Sequence, residues 1–218
     1  MNAQVWWYLA RAAGIVSLTL LVAGLVLGVL LSTRAMKPHD RPAWLLAMHR
    51  WLSTLVLVGT GVHVLSLVAD NYMHFGIVEI LVPMTSSWRP VAVTFGVGAM
   101  YLLIAIHVSS VLMRRIPKSA WRRIHALSSL LVWAAVMHGA LAGTDATNPV
   151  YQALAWLLVF AAVSAGVVRV VIGRNAARAK EGRATTPHGA PRAAAEQSRA
   201  ARSIAPEPAT TSNIPARV

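Results

Sequence analysis

Residues 44–69 read WLLAMHRWLSTLVLVGTGVHVLSLVA. Apart from His49, Arg50, His63 and a few hydroxyl side chains, the stretch is apolar throughout. A helix that crosses the hydrocarbon core of a bilayer needs roughly 20 mostly apolar residues, and this stretch is long enough. Its two histidines sit where an imidazole is costly unless it has a partner. The segment therefore reads as a membrane helix that carries chemistry.

Four further stretches have the same character: Trp6 to Leu31, Val91 to Met113, Trp121 to Ala142 and Val150 to Ile172. The first is interrupted only by Arg11, and its apolar run exceeds the roughly 7–15 residues of a signal-peptide core, so it reads as a mature span. The expected fold is all-α: a polytopic membrane bundle of about five transmembrane helices. Composition agrees. The chain is 56% hydrophobic and 12% charged, against about 25% charged in soluble domains. The 20 Lys and Arg outweigh 7 acids for a net charge of +13, yet so apolar a chain does not suit a nucleic-acid binder. There is no cysteine, which excludes disulfides, thiolate metal sites and the C-x-x-C-H attachment of c-type haem.

Position resolves the charge. Arg34, Lys37 and Arg41 follow the first span, and Arg114, Arg115, Lys118, Arg122 and Arg123 follow the third. More bases follow Ile172. The other connections hold Asp70, Glu79, Arg89 and Asp145. The positive-inside rule makes the basic group cytoplasmic, with the N-terminus outside and the C-terminus inside, the parity that five spans demand. The expected setting is a bacterial-type cell membrane. In the outer segment from Asp70 to Pro90, the stretch FGIVEILVPM (residues 75–84) is too short to cross and should lie at the interface or fold back on the bundle. Residues 1–173 are expected to form the membrane domain. Residues 174–218, rich in Ala, Arg, Pro, Thr and Ser, are expected to form a disordered basic cytoplasmic tail.

Of eight histidines, four form a pattern. His49 and His63 lie 14 residues apart on the second span, and His125 and His138 lie 13 apart on the fourth. Both separations correspond to about 20 Å of helix rise. The two spans run in the same direction, so together they offer one histidine level near each membrane face. Imidazoles from facing helices are natural axial ligands for haem iron, and two levels would hold two haems across the bilayer. Along a straight helix, however, 13 residues leave His125 and His138 roughly 140° apart in direction. Gly59, Gly61 and Gly139 could admit flat rings or serve ordinary helix packing. Arg11 and Arg50, near the outer and inner levels, could pair with haem carboxylates or simply snorkel. Arg122 and Arg123 read as topogenic charge.

The HRWLS opening of the second span, the RRIHALS opening of the fourth and the 14/13 spacing resemble the ferric reductase-like transmembrane domains. These include the membrane parts of ferric reductases and NADPH oxidases, and the haem-binding membrane subunit of the bacterial periplasmic methionine sulfoxide reductase system. WYLARAAG near the start and HFG…LVPM…SSWRPVAV resemble the short stand-alone bacterial members. The resemblance covers about residues 5 to 172. It implies two b-type haems, ligated by His49 with His125 and by His63 with His138, and electron transfer from a cytoplasmic or quinol donor to an external acceptor. Many members have six spans, and the reductases and oxidases continue into a flavin and NADPH domain. No G-x-G-x-x-G Rossmann pattern stands here, so a redox partner protein, its flavin, or a quinone pool must supply the electrons.

The other histidines are less defined. His107, on the third span near the inner level, could be a quinone-site proton partner, an alternative inner ligand or a hydrogen-bonded helix residue. His74 could shape an external acceptor site or lie in a solvated loop, and His39 and His188 carry no assigned role. Two other functions compete with the cytochrome: a histidine-lined metal-ion or proton transporter without haem, and an assembly subunit without a cofactor. The transporter lacks the paired intramembrane carboxylates expected of an ion pathway.

Overall fold

A computed structural model describes residues 4–34, 41–70, 75–143, 147–184 and 199. Its elements are all helical: α1 (Gln4–Thr33), α2 (Pro42–Ala69), α3 (Ile77–Leu81), α4 (Pro90–Val111), α5 (Lys118–Ala126), α6 (Ser128–Ala142) and α7 (Pro149–Ala184). Five candidate spans are long and apolar enough to cross a bilayer, with α5 and α6 together forming one of them. The chain is a multi-pass membrane helix bundle. Three of the spans begin on a proline, Pro42, Pro90 and Pro149. There the missing N–H costs nothing, and the fixed φ suits a helix.

Residues Met1–Ile172 form one compact unit. Within it α1 packs along α2 and α4 packs along α6, with further contacts between α1 and α6 and between α2 and α4. Buried Val56, Ala99, Leu103, Ile106, Leu131 and Ala134 join α2, α4 and α6. A second cluster of Val22, Val132 and Leu158 joins α1, α6 and α7. Without a hydrophobic driving force in lipid, such interlocked packing and polar contacts between helices hold a bundle together.

The second unit begins at Gly173. Its first residues continue the α7 helix to Ala184, so residues 175–184 are helical and not the unstructured tail expected. Ala, Arg, Lys and Glu are strong helix formers, and they carry the helix past the apolar span. Beyond Ala184 only Arg199 is among the described residues.

The segment before α4 folds back on the bundle, one of the two placements expected of its short apolar run. Met84 N–H donates to Thr94 Oγ1 at 2.9 Å, and the Tyr101 hydroxyl donates to Leu81 O at 2.5 Å. Glu79 accepts from the backbone N–H of Gly76 at 2.9 Å and of Ser87 at 3.1 Å. These bonds, Gly76 first, hold its carboxyl below the ordinary glutamate pKa. Arg89, with φ 42°, caps α4 and donates from its guanidinium to Leu141 O at 2.6 Å, which ties the segment to α6.

Candidate functional site

The bundle brings the four patterned histidines together as two ring pairs. His49 meets His125 with ring centroids 6.1 Å apart and planes at 69°. His63 meets His138 at 6.2 Å and 78°. The first pair lies toward the end of the bundle that carries Arg114, Arg115, Arg122 and Arg123, here called the basic end. The second lies toward the opposite end.

A break in the helix separates His125 from His138. Leu127 interrupts the helix between α5 and α6, with ψ near −6°. Its N–H reaches Ile124 O at 3.0 Å, a tighter i→i−3 turn. The two histidines thus sit on separate helices, and the ideal-helix angle between them no longer applies.

Three of the four imidazoles are anchored in one way. His63 Nδ1 donates to Ala10 O at 2.7 Å, His49 Nδ1 to Gly24 O at 3.0 Å and His138 Nδ1 to Ala92 O at 2.8 Å. A carbonyl only accepts, so each Nδ1 carries the proton and each Nε2 keeps a free lone pair. One turn beyond each carbonyl stands a glycine facing the same ring. A Cβ at Gly14 would come 3.1 Å from His63 Nδ1, one at Gly28 3.4 Å from His49 Cε1, and one at Gly96 2.7 Å from His138 Nδ1. The register is regular: the 14-residue step from His49 to His63 along α2 is matched by an equal step back along α1, from Gly28 to Gly14.

His125 is held differently. Its Nδ1 lies 3.5 Å from Ser110 Oγ, and the Trp121 ring stacks on it at 5.1 Å and 25°.

The His63–His138 pair opens onto a cavity of about 260 Å³. Its walls are largely apolar and include Leu21, Val97, Leu131 and Leu158, with Phe75 and Trp88 from the folded-back segment. Phe75 and Trp88 meet edge to face at 6.2 Å. Arg11 also lines this cavity, with its guanidinium 5.8 Å from the Trp7 ring centroid. Tyr151, from α7, lines it too and donates its hydroxyl to Gly139 O at 2.9 Å.

Other expected residues fall away from the rings. Arg50 is exposed on α2 and does not line the His63–His138 cavity. Arg122 and Arg123 are exposed, as topogenic charges would be. His107 is half-buried on α4 and belongs to neither ring pair, so the inner partner of His49 is His125. Gly59 abuts Ser17 Oγ, Gly61 faces open space and Gly139 faces Leu18 and Tyr151. The glycines that admit the rings are instead Gly14, Gly28 and Gly96. His74, His39 and His188 lie outside the described residues.

The donor set can be tested against a metal. An imidazole nitrogen lies about 2.0 Å from the metal it ligates and about 1.1 Å from its own ring centroid, so a pair across one ion sets centroids about 6.2 Å apart. Both observed separations agree with that value, which is also the separation of the edge-to-face Phe75–Trp88 pair. A bare zinc-type site draws three or four protein ligands, and no group of three or more His, Cys, Asp or Glu is found among the described residues. Haem iron, already held by its macrocycle, takes two. Compared with known protein families, curated proteins and solved structures, the chain matches none.

Proposed function

We propose that this chain is a di-haem b-type membrane cytochrome, an oxidoreductase component that moves electrons between the two faces of a membrane. The observation that carries this reading is the spacing of the two histidine pairs, 6.1 and 6.2 Å between ring centroids. The Nδ1–H bonds to Gly24, Ala10 and Ala92 support it, because ligating histidines ordinarily spend their second nitrogen this way. Haem, when bound, supplies a one-electron iron couple.

The protein's own residues do the rest. His49 with His125 and His63 with His138 would hold the haem iron. Backbone carbonyls fix each of three rings in one tautomer and orientation, and the apolar walls around His63 and His138 exclude water. Arg11 offers a guanidinium to a carboxylate at the rim of that cavity. Phe75 and Trp88 cover the same cavity from the folded-back segment.

By the positive-inside rule the basic end is cytoplasmic and the N-terminus external, in a bacterial-type cell membrane. With haem bound, the His49–His125 end would face a quinol or a cytoplasmic donor, with flavin supplied by that partner if one is used, and the His63–His138 end would face an external acceptor. A histidine-lined ion path is less well supported, because the imidazoles converge two by two and their Nδ1 protons are committed to backbone or hydroxyl acceptors.

The visible spectrum of the purified protein tests the reading. A b-type spectrum with two haems per chain is expected. A colourless preparation from haem-sufficient cells would overturn it.

A further inference from the structure

Three corners of the site share a carbonyl and a glycine one turn apart on the facing helix, and the fourth does not. Along α4, Ala92 and Gly96 serve His138. Moving 13 residues on, the step that separates His125 from His138, Ser109 stands where the pattern would put a glycine. Ser109 is buried, and its hydroxyl donates to Ile106 O at 2.9 Å. Position 109 therefore carries a side chain where the matching positions at the other three corners carry none.

His125 meets neighbouring Ser110 instead. The Ser110 hydroxyl donates to Ile106 O at 2.8 Å, so its oxygen is left to accept from His125 Nδ1 over a long 3.5 Å. A contact of that length orients a ring weakly. What fixes the ring plane is Trp121, one turn earlier on α5, stacked nearly parallel upon it. Trp121 itself is set at the start of α5 by its N–H bond to Pro117 O at 3.1 Å. Its indole Nε1 is buried and has no hydrogen-bond partner among the described residues.

We propose that Trp121 is the positioning residue of His125, replacing by ring stacking the carbonyl-and-glycine cradle that holds the other three imidazoles. The inference rests on the haem reading above. It makes the two centres unequal by construction. A strong Nδ1–H bond to a carbonyl makes a ligating imidazole more basic, and His125 lacks one. The basic-end centre therefore has the higher midpoint potential of the two, and its His125 ligand is the one that yields when the stack is lost. The buried indole N–H is a ready donor for a carboxylate or other acceptor of the group bound beside it.

The test uses the full chain in detergent with both haems loaded. Haem content, low-spin ferric electron paramagnetic resonance, potentiometric titration and carbon monoxide binding by the ferrous form are read together. Wild type should show two low-spin centres with separate midpoints. Trp121→Phe, which keeps a stacking ring, should keep both low-spin signals. Trp121→Leu should lose about half of the low-spin signal and bind about one carbon monoxide per chain. The lost signal should be the one also missing in His49→Ala, while the centre missing in His63→Ala persists and reports an intact fold. Two unchanged low-spin centres in Trp121→Leu, or loss of the other centre, would overturn the inference and leave the haem reading standing. A wild-type protein without haem would overturn both.

Discussion

A side chain at position 96 and the ring of His138 cannot occupy the same space. A Cβ built on Gly96 lies 2.7 Å from His138 Nδ1 and 2.8 Å from Cε1. The listening side of that contact is a ring whose Nδ1 is already bonded to Ala92 O at 2.8 Å, so it has nowhere to retreat without giving up its anchor. Gly96→Ala is expected to displace His138 and remove one of two haems, at an overpacking cost of about 1–3 kcal/mol. Haem content and the thermal midpoint in detergent check this. Unchanged content would show that the ring has another position open to it. Gly28→Ala, at 3.4 Å from its ring, should be tolerated far better.

Single histidine replacements should act level by level. His63→Ala or His138→Ala is expected to remove one haem and leave the spectrum of the other, and His49→Ala or His125→Ala should remove the complementary one. His107→Ala should leave both, since His107 belongs to neither ring pair. Difference spectra and haem-to-protein ratios decide. Loss of the basic-end centre in His107→Ala with retention in His125→Ala would reassign the ligand.

The folded-back segment should loosen in acid. The backbone N–H groups of Gly76 and Ser87 hold the Glu79 carboxyl below its ordinary pKa. A group whose folded pKa is lowered contributes stability that is fully present above the unfolded value, about 4.3 for glutamate, and lost as pH falls through the folded value. Amide exchange of residues 75–89 should therefore be slow and pH-independent, after correction for intrinsic rates, at neutral pH and rise below about pH 4. Glu79→Gln should exchange faster at pH 7 and show no such acid step.

Tyr151→Phe removes one hydrogen bond, from the hydroxyl to Gly139 O. A loss of about 1 kcal/mol is expected, read as a lower thermal midpoint with both haems retained. Gly143→Ala should cost more. A Cβ there would lie 2.7 Å from both Gly139 O and the Tyr151 hydroxyl, so the end of α6 must shift.

The pairing of His49 with His125 and of His63 with His138 was legible in the sequence, because histidines in apolar spans are conspicuous and spacing converts directly into rise. Their cradle was harder to see. Gly14 and Gly28 repeat the 14-residue interval of His49 and His63, a usable signal, but a glycine in an apolar helix reads first as packing, and carbonyl acceptors such as Ala10 O leave no mark on side-chain identity. The break at Leu127 was hidden as well, since leucine favours helix and only the demand to aim two rings at partners on α2 gives the interruption a purpose. Arg50 occupies a different face of α2 from its neighbour His49. Adjacency to His49 in sequence puts it about 100° round the helix, where it is exposed.

Each ring pair draws one imidazole from the α1–α2 hairpin and one from the hairpin of α4 with α5 and α6. Neither hairpin holds both donors of any site, so a group bound between them is also a keystone. If haem binds at both pairs as proposed, it would join the two halves at two heights, adding to the packing of Val56, Ala99 and Leu131 that already holds them together.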